Sequence, residues 1–304
     1  MGLSGAYGQT DDHESVRVIH RYLDAGGNLL DTGDFYGSGH NEQLIGRALQ
    51  SRKREEVVLS VKFGATLEPN GAITGFDARP AAVRNALAYS LQRLGTDHVD
   101  IYRPARLDPD VPIEETVGAI AELVEQGWVR NIGLSEVGAE TIRRAASVAP
   151  ITDLQIEYSL LSRGVEEEIL AACRELGIGI TAYGVLSKGL IGNSSREGSR
   201  SMFPRFQGSN YDHNQALVEP LREIAAAKGT SVAQLAIAWV AAQGDDIVPV
   251  VGARRIEQVD TMIEANKVTL DAAELARMDE LIPAGAARGD RYPTVLMSNL
   301  DSER

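Results

Sequence analysis

Cys173 is the only cysteine in 304 residues, so no intrachain disulfide can staple the fold. It falls in an apolar helical pattern with Ile169, Leu170 and Leu176, which reads as a buried, inert thiol rather than a nucleophile. No uninterrupted apolar run reaches the length of a membrane span, and no basic segment leads into an apolar one as in a secretory leader. A cytoplasmic location is the expectation. Basic residues are outnumbered, 30 Lys and Arg against 43 Asp and Glu, giving a net charge of −13. That imbalance argues against nucleic acid and anionic membranes as partners, though it leaves room for a local anion site built from a few Arg or Lys. Internal repeats, low-complexity tracts and an obvious interdomain linker are also missing, so residues 1–304 read as one domain.

What is present is a long alternation of strand and helix patterns. Apolar runs near Leu29, Leu59, Ile101, Ile132, Leu154, Ile180 and Val248 predict seven strands. Helical patterns separate them at 40–50, 79–93, 113–126, 138–148, 165–176, 214–228 and 231–242, with further helices at 255–265 and 271–282. The segments 65–78, 187–211 and 284–304 read as loop or mixed composition. Such alternation implies a parallel sheet with helices outside, either an open doubly wound sheet or a closed (β/α)8 barrel. The barrel is preferred, because Asp31, Lys62, Arg103, Ser135, Glu157, Tyr183 and Arg254 all fall at or after strand ends, and a barrel gathers every strand end at one mouth. An open sheet would often carry a nucleotide fingerprint. The nearest candidate, Gly37-Ser38-Gly39, lacks the third glycine and reads as a turn. An eighth strand would have to come first in the chain. The acidic run Asp11, Asp12, His13, Glu14 precedes a helical pattern and complements a helix N-terminus; its residues are consecutive, which suits a metal poorly.

The stretch Asn28–Gly37 is the chemical centre. Asn28, Leu29 and Leu30 run into Asp31 at a strand end, with Tyr36 five residues later, and the strand through Val57 ends in Lys62. Aspartate, tyrosine and lysine on two neighbouring strand ends could form a proton-transfer unit, the lysine cation favouring phenolate and the aspartate holding the lysine charged. Alone, a tyrosine in a loop after a strand is usually a packing residue, and an Asp–Lys pair usually a structural ion pair.

The motifs DTGDFYG (31–37), NEQLIG (41–46), SVKFG (60–64), SLQRLGTDHVDIY (90–102), GLSE (133–136), QIEYSL (155–160), TAYGVLSKGLIG (181–192) and VGARRIEQV (251–259) follow one another along nearly the whole chain. In this set and order the chain resembles the aldo-keto reductases. The resemblance implies a (β/α)8 barrel, NADPH as hydride donor and a small-molecule carbonyl compound as substrate. It assigns catalysis to Asp31, Tyr36 and Lys62, with Tyr36 as the general acid. It assigns the nicotinamide amide to Ser135 and Gln155, ring stacking to Tyr183, the pyrophosphate to Leu186, Ser187, Gly189 and Leu190, and the 2′-phosphate end to Arg254, Arg255 and Gln258. Substrate choice would lie with the segments 65–78, 187–211 and the tail after 284.

Three departures stand out against that pattern. Ala105, in Tyr102-Arg103-Pro104-Ala105-Arg106-Leu107-Asp108, stands where the family carries its fourth catalytic residue, a histidine; Arg103 at the strand end is the candidate replacement donor. Loss of one oriented donor of this kind can cost about 10²–10³ in rate. The chain also begins at the end of the family's first strand, so the expectation is a barrel short of most of that strand, with two unpaired edges and a start assigned too late as the favoured account. Thr261 and Met262 replace an acidic residue and an asparagine near the adenine. Two rival readings follow: a nucleotide-binding sensor or partner protein with weak turnover, and an aldolase-type barrel with Lys62 as Schiff-base nucleophile, which Asp31 opposes by keeping Lys62 charged.

Overall fold

The computed structural model describes residues 2–5, 11–192 and 198–303. Helix α1 (Asp12–Asp24) starts where Asp11 accepts a hydrogen bond from the Glu14 amide at 2.8 Å, so the acidic run serves as an N-terminal cap. Strand β1 (Leu29–Gly33) leads to α2 (His40–Leu49), and β2 (Val58–Phe63) is followed by a hairpin, β3 (Ala65–Leu67) and β4 (Ile73–Phe76). Then come α3 (Pro80–Leu94), β5 (Val99–Pro104), α4 (Ile113–Glu125), β6 (Val129–Ser135), α5 (Ala139–Ala146) and β7 (Ile151–Glu157). The alternation continues through α6 (Ile169–Leu176) and β8 (Gly179–Tyr183), then α7 (Gly208–Val218), α8 (Leu221–Ala227) and α9 (Val232–Ala241). The last elements are β9 (Ile247–Pro249), α10 (Ile256–Ala265), α11 (Ala272–Leu281) and the short α12 (Thr294–Met297). Among the described residues no single helix is long and apolar enough to cross a membrane.

Seven strands form one parallel sheet in the order β1-β2-β5-β6-β7-β8-β9. The sheet is curled. Gln155 on β7 donates to Asp31 on β1 at 2.8 Å, and Arg103 on β5 pairs with Asp153 on β7 at 3.0 Å, contacts that an open sheet with these neighbours could not make. The fold is therefore of the (β/α)8 type with one position in the ring of strands not filled by a described strand: β1 and β9 are the two edges. The outer layer meets across that seam, where Arg21 on α1 and Asp260 on α10 lie 2.6 Å apart. At the mouth, residues 2–5 also bridge it. Asn41 Nδ2 donates to Ser4 Oγ at 3.0 Å, while a Cβ on Gly2 would come 3.1 Å from the Arg254 side chain.

The strands alternate rather than run apolar throughout, because the two faces of the sheet meet different surroundings. Leu59, Val61 and Phe63 on β2, and Leu134, Leu154, Ile156, Ile180 and Ala182 further round, are fully buried in the apolar core beneath the helices. The other face lines the lumen with Asp31, Ser60, Lys62, Arg103, Asp153, Gln155 and Thr181, linked by hydrogen bonds and ion pairs. Tyr102 belongs to the outer face; it stacks on Phe63 at 4.3 Å and donates to Val83 O of α3.

Two expectations need correction. The segment 65–78 holds the antiparallel hairpin, with Ala65 opposite Phe76. The helix foreseen over 214–228 is two helices, α7 and α8, divided at Pro220, which has no amide hydrogen to continue the ladder. Gly133 fits the lumen only for want of a side chain, since a Cβ there would lie 2.5 Å from Asp153 Oδ1 and 3.1 Å from Arg103 Nε. Gly133→Ala should destabilise the protein by about 1–3 kcal/mol through overpacking, read as a lower urea midpoint with an unchanged slope.

Candidate active site

Asp31 sits at the end of the lumen nearest the mouth and accepts three hydrogen bonds: from Lys62 Nζ at 2.5 Å, Ser60 Oγ at 2.8 Å and Gln155 Nε2 at 2.8 Å. The β1–β2 register, Asp31 opposite Ser60 and Gly33 opposite Lys62, sets this pairing. Burial pushes the Asp31 carboxyl upward, but Lys62 and then Arg103 outweigh it and hold the group below its ordinary value. Burial lowers Lys62, Arg103 adds to that, and Asp31 is the charge that opposes both. Tyr36 lies directly above, its ring centroid 5.0 Å from Lys62 Nζ, so the three residues singled out in sequence are brought together. The turn that follows Tyr36 is sharp: Gly37, Ser38 and Gly39 all have positive φ, and a Cβ on Gly39 would meet the Arg93 side chain at 2.6 Å.

Arg103 does not reach the mouth. It is fully buried in the lumen, donating to Ser60 Oγ at 2.7 Å and paired with Asp153, so it is not placed to stand in for the missing histidine. Ala105, buried at 1% exposure, continues the ladder through its amide to Phe63 O at 2.8 Å. Arg106 follows it, and its Nη1 folds back to Ala105 O at 2.6 Å. Burial works against the Arg106 charge, and the fields of the neighbouring tyrosines and Glu136 act in the opposite direction.

The cofactor residues of the sequence reading line the other side of the mouth. Ser135 Oγ is buried and has no hydrogen-bond partner among the described residues, a polar group in need of a ligand. Gln155 has committed its Nε2 to Asp31. Tyr183 donates to Glu136 Oε1 at 2.6 Å and meets the Tyr292 hydroxyl at 2.9 Å; burial, then Glu136, raises its pKa well above the ordinary value. In the loop after β8, Leu186 precedes Ser187, Lys188 and Gly189, which have consecutive positive φ, and Ser187 Oγ meets Ser159 Oγ at 2.9 Å; Leu190 is buried behind them. Positive φ at two successive non-glycine residues stores strain of the kind found at ligand-binding turns. Arg254 and Arg255 precede α10, but both their amides donate to Gln258 Oε1, at 2.8 and 3.2 Å. Gln258 is thus the cap of α10, and Arg255 presents an exposed guanidinium there rather than a free amide.

A second cluster at the mouth was not foreseen. Glu136, at φ +52 immediately after Ser135, is wholly buried and accepts from Arg291 Nη2 at 2.8 Å, Ser302 Oγ at 2.7 Å and the Glu157 amide at 2.9 Å, besides Tyr183. Burial opposes its ionisation, and Arg291 outweighs this, holding the carboxyl far below its ordinary value. Glu157 pairs with Lys188 Nζ at 3.1 Å and Arg291 Nη1 at 3.4 Å. Glu136 was visible as the last letter of GLSE; Arg291 comes from the tail and had no sequence signal. Losing Arg291 leaves two buried carboxylates short of a cation, so Arg291→Met should cost about 3–5 kcal/mol, measured by urea unfolding. Adding Glu136→Gln to that variant should restore part of the loss.

Asp34, beside the Tyr36 turn, is a buried carboxylate whose Oδ1 has no partner among the described residues. Burial raises its pKa to about 6, and Glu42 adds to the rise. Its folded value exceeds its unfolded value, so between pH 4 and pH 6 the folded state keeps a proton that the unfolded state has released, and stability falls as pH rises through that window. The penalty at pH 8 is on the order of 3 kcal/mol. Asp34→Asn should therefore melt higher than wild type at pH 8 and lose that advantage at pH 4.5.

A strand–helix barrel with an Asp–Lys pair beneath a tyrosine at its mouth, and an orphan buried serine hydroxyl across from it, has the architecture of barrel oxidoreductases. Comparison with known proteins agrees. The model of the aldo/keto reductase family matches residues 1–283, leaving the tail from 284 beyond it. The chain is 41% identical over 301 residues to a probable aldo-keto reductase 1 from Glycine max, covering 96% of this chain and 86% of that one. Among solved structures it is similar to a glycerol dehydrogenase from Gluconobacter oxydans (TM-score 0.84, 30% identity, 96% of this chain and 90% of that one). It is also similar to an aldo/keto reductase from Klebsiella pneumoniae in complex with NADP and acetate (TM-score 0.74, 28% identity, 93% and 89%). This chain belongs to the aldo/keto reductase family.

Proposed function

We propose that this chain is an NADPH-dependent reductase of aldehydes or ketones, running in reverse as an alcohol dehydrogenase, with residues 1–304 forming one barrel domain. The observation that carries the reading is the buried Lys62–Asp31 pair, 2.5 Å long, lying 5.0 Å beneath the Tyr36 ring. A cation there favours the phenolate that Tyr36 becomes on giving up its proton, and Asp31 opposes the burial that lowers the Lys62 pKa. The carbonyl carbon gains a hydride, its π pair moves to the oxygen, and the Tyr36 hydroxyl proton goes to that oxygen; the phenolate then recovers a proton from solvent. Bound at the mouth, a reduced nicotinamide supplies the hydride and is left oxidised.

The chain's residues suit that cofactor. Ser135 Oγ is the orphan donor a carboxamide oxygen would satisfy, and Gln155 keeps its amide oxygen as an acceptor. Tyr183, with its hydroxyl tied to Glu136 and Tyr292, offers a fixed ring, and the positive-φ turn in the loop Leu186–Leu190 suits a pyrophosphate-binding role. The guanidinium groups before α10 favour a 2′-phosphate and hence NADPH over NADH. Bound NADP in the Klebsiella pneumoniae relative supports the same choice. Lys62 as a Schiff-base nucleophile is disfavoured by the Asp31 contact.

Fluorescence titration with NADPH and NADH, followed by absorbance of the reduced nicotinamide with a panel of aldehydes and quinones, tests the reading. Tighter binding of NADPH is expected, with turnover that Tyr36→Phe cuts by about 10²–10⁴ while binding is kept. Tight binding without turnover of any carbonyl would establish the rival reading, a nucleotide-binding sensor or partner protein, for which Ala105 in the histidine position is the supporting observation.

A further inference from the structure

The missing histidine leaves the donor to the carbonyl oxygen unassigned, and beside the gap stands Arg106, an arginine with no ion pair among the described residues. Its guanidinium is bent back over Ala105 by the Nη1–Ala105 O hydrogen bond of 2.6 Å, and so covers the residue that occupies the histidine position. The ladder from β2 fixes that point close to Lys62, since Ala105 N bonds to Phe63 O, the residue after Lys62.

The surrounding carboxylates are already taken. Asp31 is held by Lys62, Ser60 and Gln155. Glu136 is saturated by Arg291, Tyr183, Ser302 and the Glu157 amide. Glu157 is engaged by Ser162, Lys188 and Arg291. Arg106 itself forms no ion pair among the described residues, and the groups whose fields reach it most strongly after burial are the tyrosines Tyr183 and Tyr292. A half-buried guanidinium with no carboxylate partner of its own among the described residues is free to take one from a ligand. Its planar fork presents parallel N–H groups that match two oxygens side by side.

We propose that Arg106 replaces the histidine as the donor to the substrate carbonyl oxygen and, through a second N–H, binds a carboxylate on the adjacent carbon, so that the preferred substrates are 2-oxo acids. This rests on the reductase reading above. One N–H of the fork directs the carbonyl oxygen toward Tyr36, and the other fixes the carboxylate and selects against neutral ketones. Glu136 and Glu157 are neutralised by tail and loop cations, so they do not repel the incoming acid.

The test uses the full chain with NADPH and a matched pair: phenylglyoxylate and its methyl ester, which share one ketone and differ in the charge beside it. Wild type is expected to show a KM for the acid at least about tenfold below that for the ester. Arg106→Gln should raise the acid KM about 100-fold and lower kcat on both compounds, leaving NADPH affinity unchanged. Adding Ala105→His to Arg106→Gln should recover ester turnover but not acid affinity. An acid-to-ester ratio of kcat/KM unaltered by Arg106→Gln would overturn the proposal, as would a parallel loss of NADPH affinity, which would make Arg106 a nucleotide contact. Turnover of the ester without the acid overturns this proposal alone. NADPH binding with turnover of neither compound, nor of any carbonyl in the wider panel, removes the reductase reading as well.

Discussion

The structure depends on a carboxylate, Asp31, buried at the top of a polar lumen and held by donors from β2 and β7. Removing an ionised carboxylate from water is unfavourable unless charge and hydrogen bonds replace the solvent. Three donors and the Lys62 charge do so here, and the requirement propagates downward. Ser60 donates to Asp31 and accepts from Arg103, Arg103 pairs with Asp153, and Asp153 accepts from Thr181 at 2.5 Å. Five strands are therefore registered to one another across the lumen as well as along their edges. A one-residue slip of any of them would turn its polar set into the apolar helix layer, so the network specifies register as much as it supports chemistry.

Two charged systems meet at the mouth with opposite characters. The lumen system ends in a cation under a phenol, the point at which the proposed mechanism moves a proton. The rim system, Glu136 and Glu157 with Arg291 and Lys188, pins the tail and the loop after β8 against the strand ends. Tyr183 shows the join between them: its position on β8 places it for a planar ligand, and its hydroxyl is locked by the rim. A stacking surface that cannot rotate is preorganised, so ordering it at binding costs little. Rigidity of the ring and placement of the tail thus have a common cause.

Most of the architecture was legible because short apolar strand runs alternate with helical patterns along the chain, and because the helices carry end signals. Pro80 opens α3 and Gly95 closes it with φ +67; Ser231 with Gln234 and Asp271 with Glu274 cap α9 and α11. The hairpin of β3 and β4 was not legible, since three- and four-residue strands give too short a pattern to separate from loop. The Asp31, Tyr36 and Lys62 constellation was readable because strand ends converge in a barrel. Arg103 was misplaced for the same reason: position at a strand end tells which mouth is near, whereas depth depends on partners, and Arg103, the register partner of Lys62, is drawn down into the lumen by Ser60 and Asp153. The pairing of Arg291 with Glu136 and Glu157 was invisible because long-range pairing leaves no local pattern.

The seam between β1 and β9 bears on which parts of the site are tightly coupled. Asp31, Lys62, Ser135, Gln155 and Tyr183 lie on strands joined by an unbroken run of parallel pairing. Arg254 and Arg255 lie beyond β9, across the seam from β1, and are tied to it through helix contacts and residues 2–5. Displacement at the seam would thus shift Arg254 and Arg255 against Asp31 and Lys62 without disturbing the Asp31 network. On the proposed assignment of Arg254 and Arg255 to the 2′-phosphate, nucleotide affinity is then more sensitive to the seam than the Asp31–Lys62 geometry is. The two properties can vary independently in this chain because they are supported by different sets of contacts.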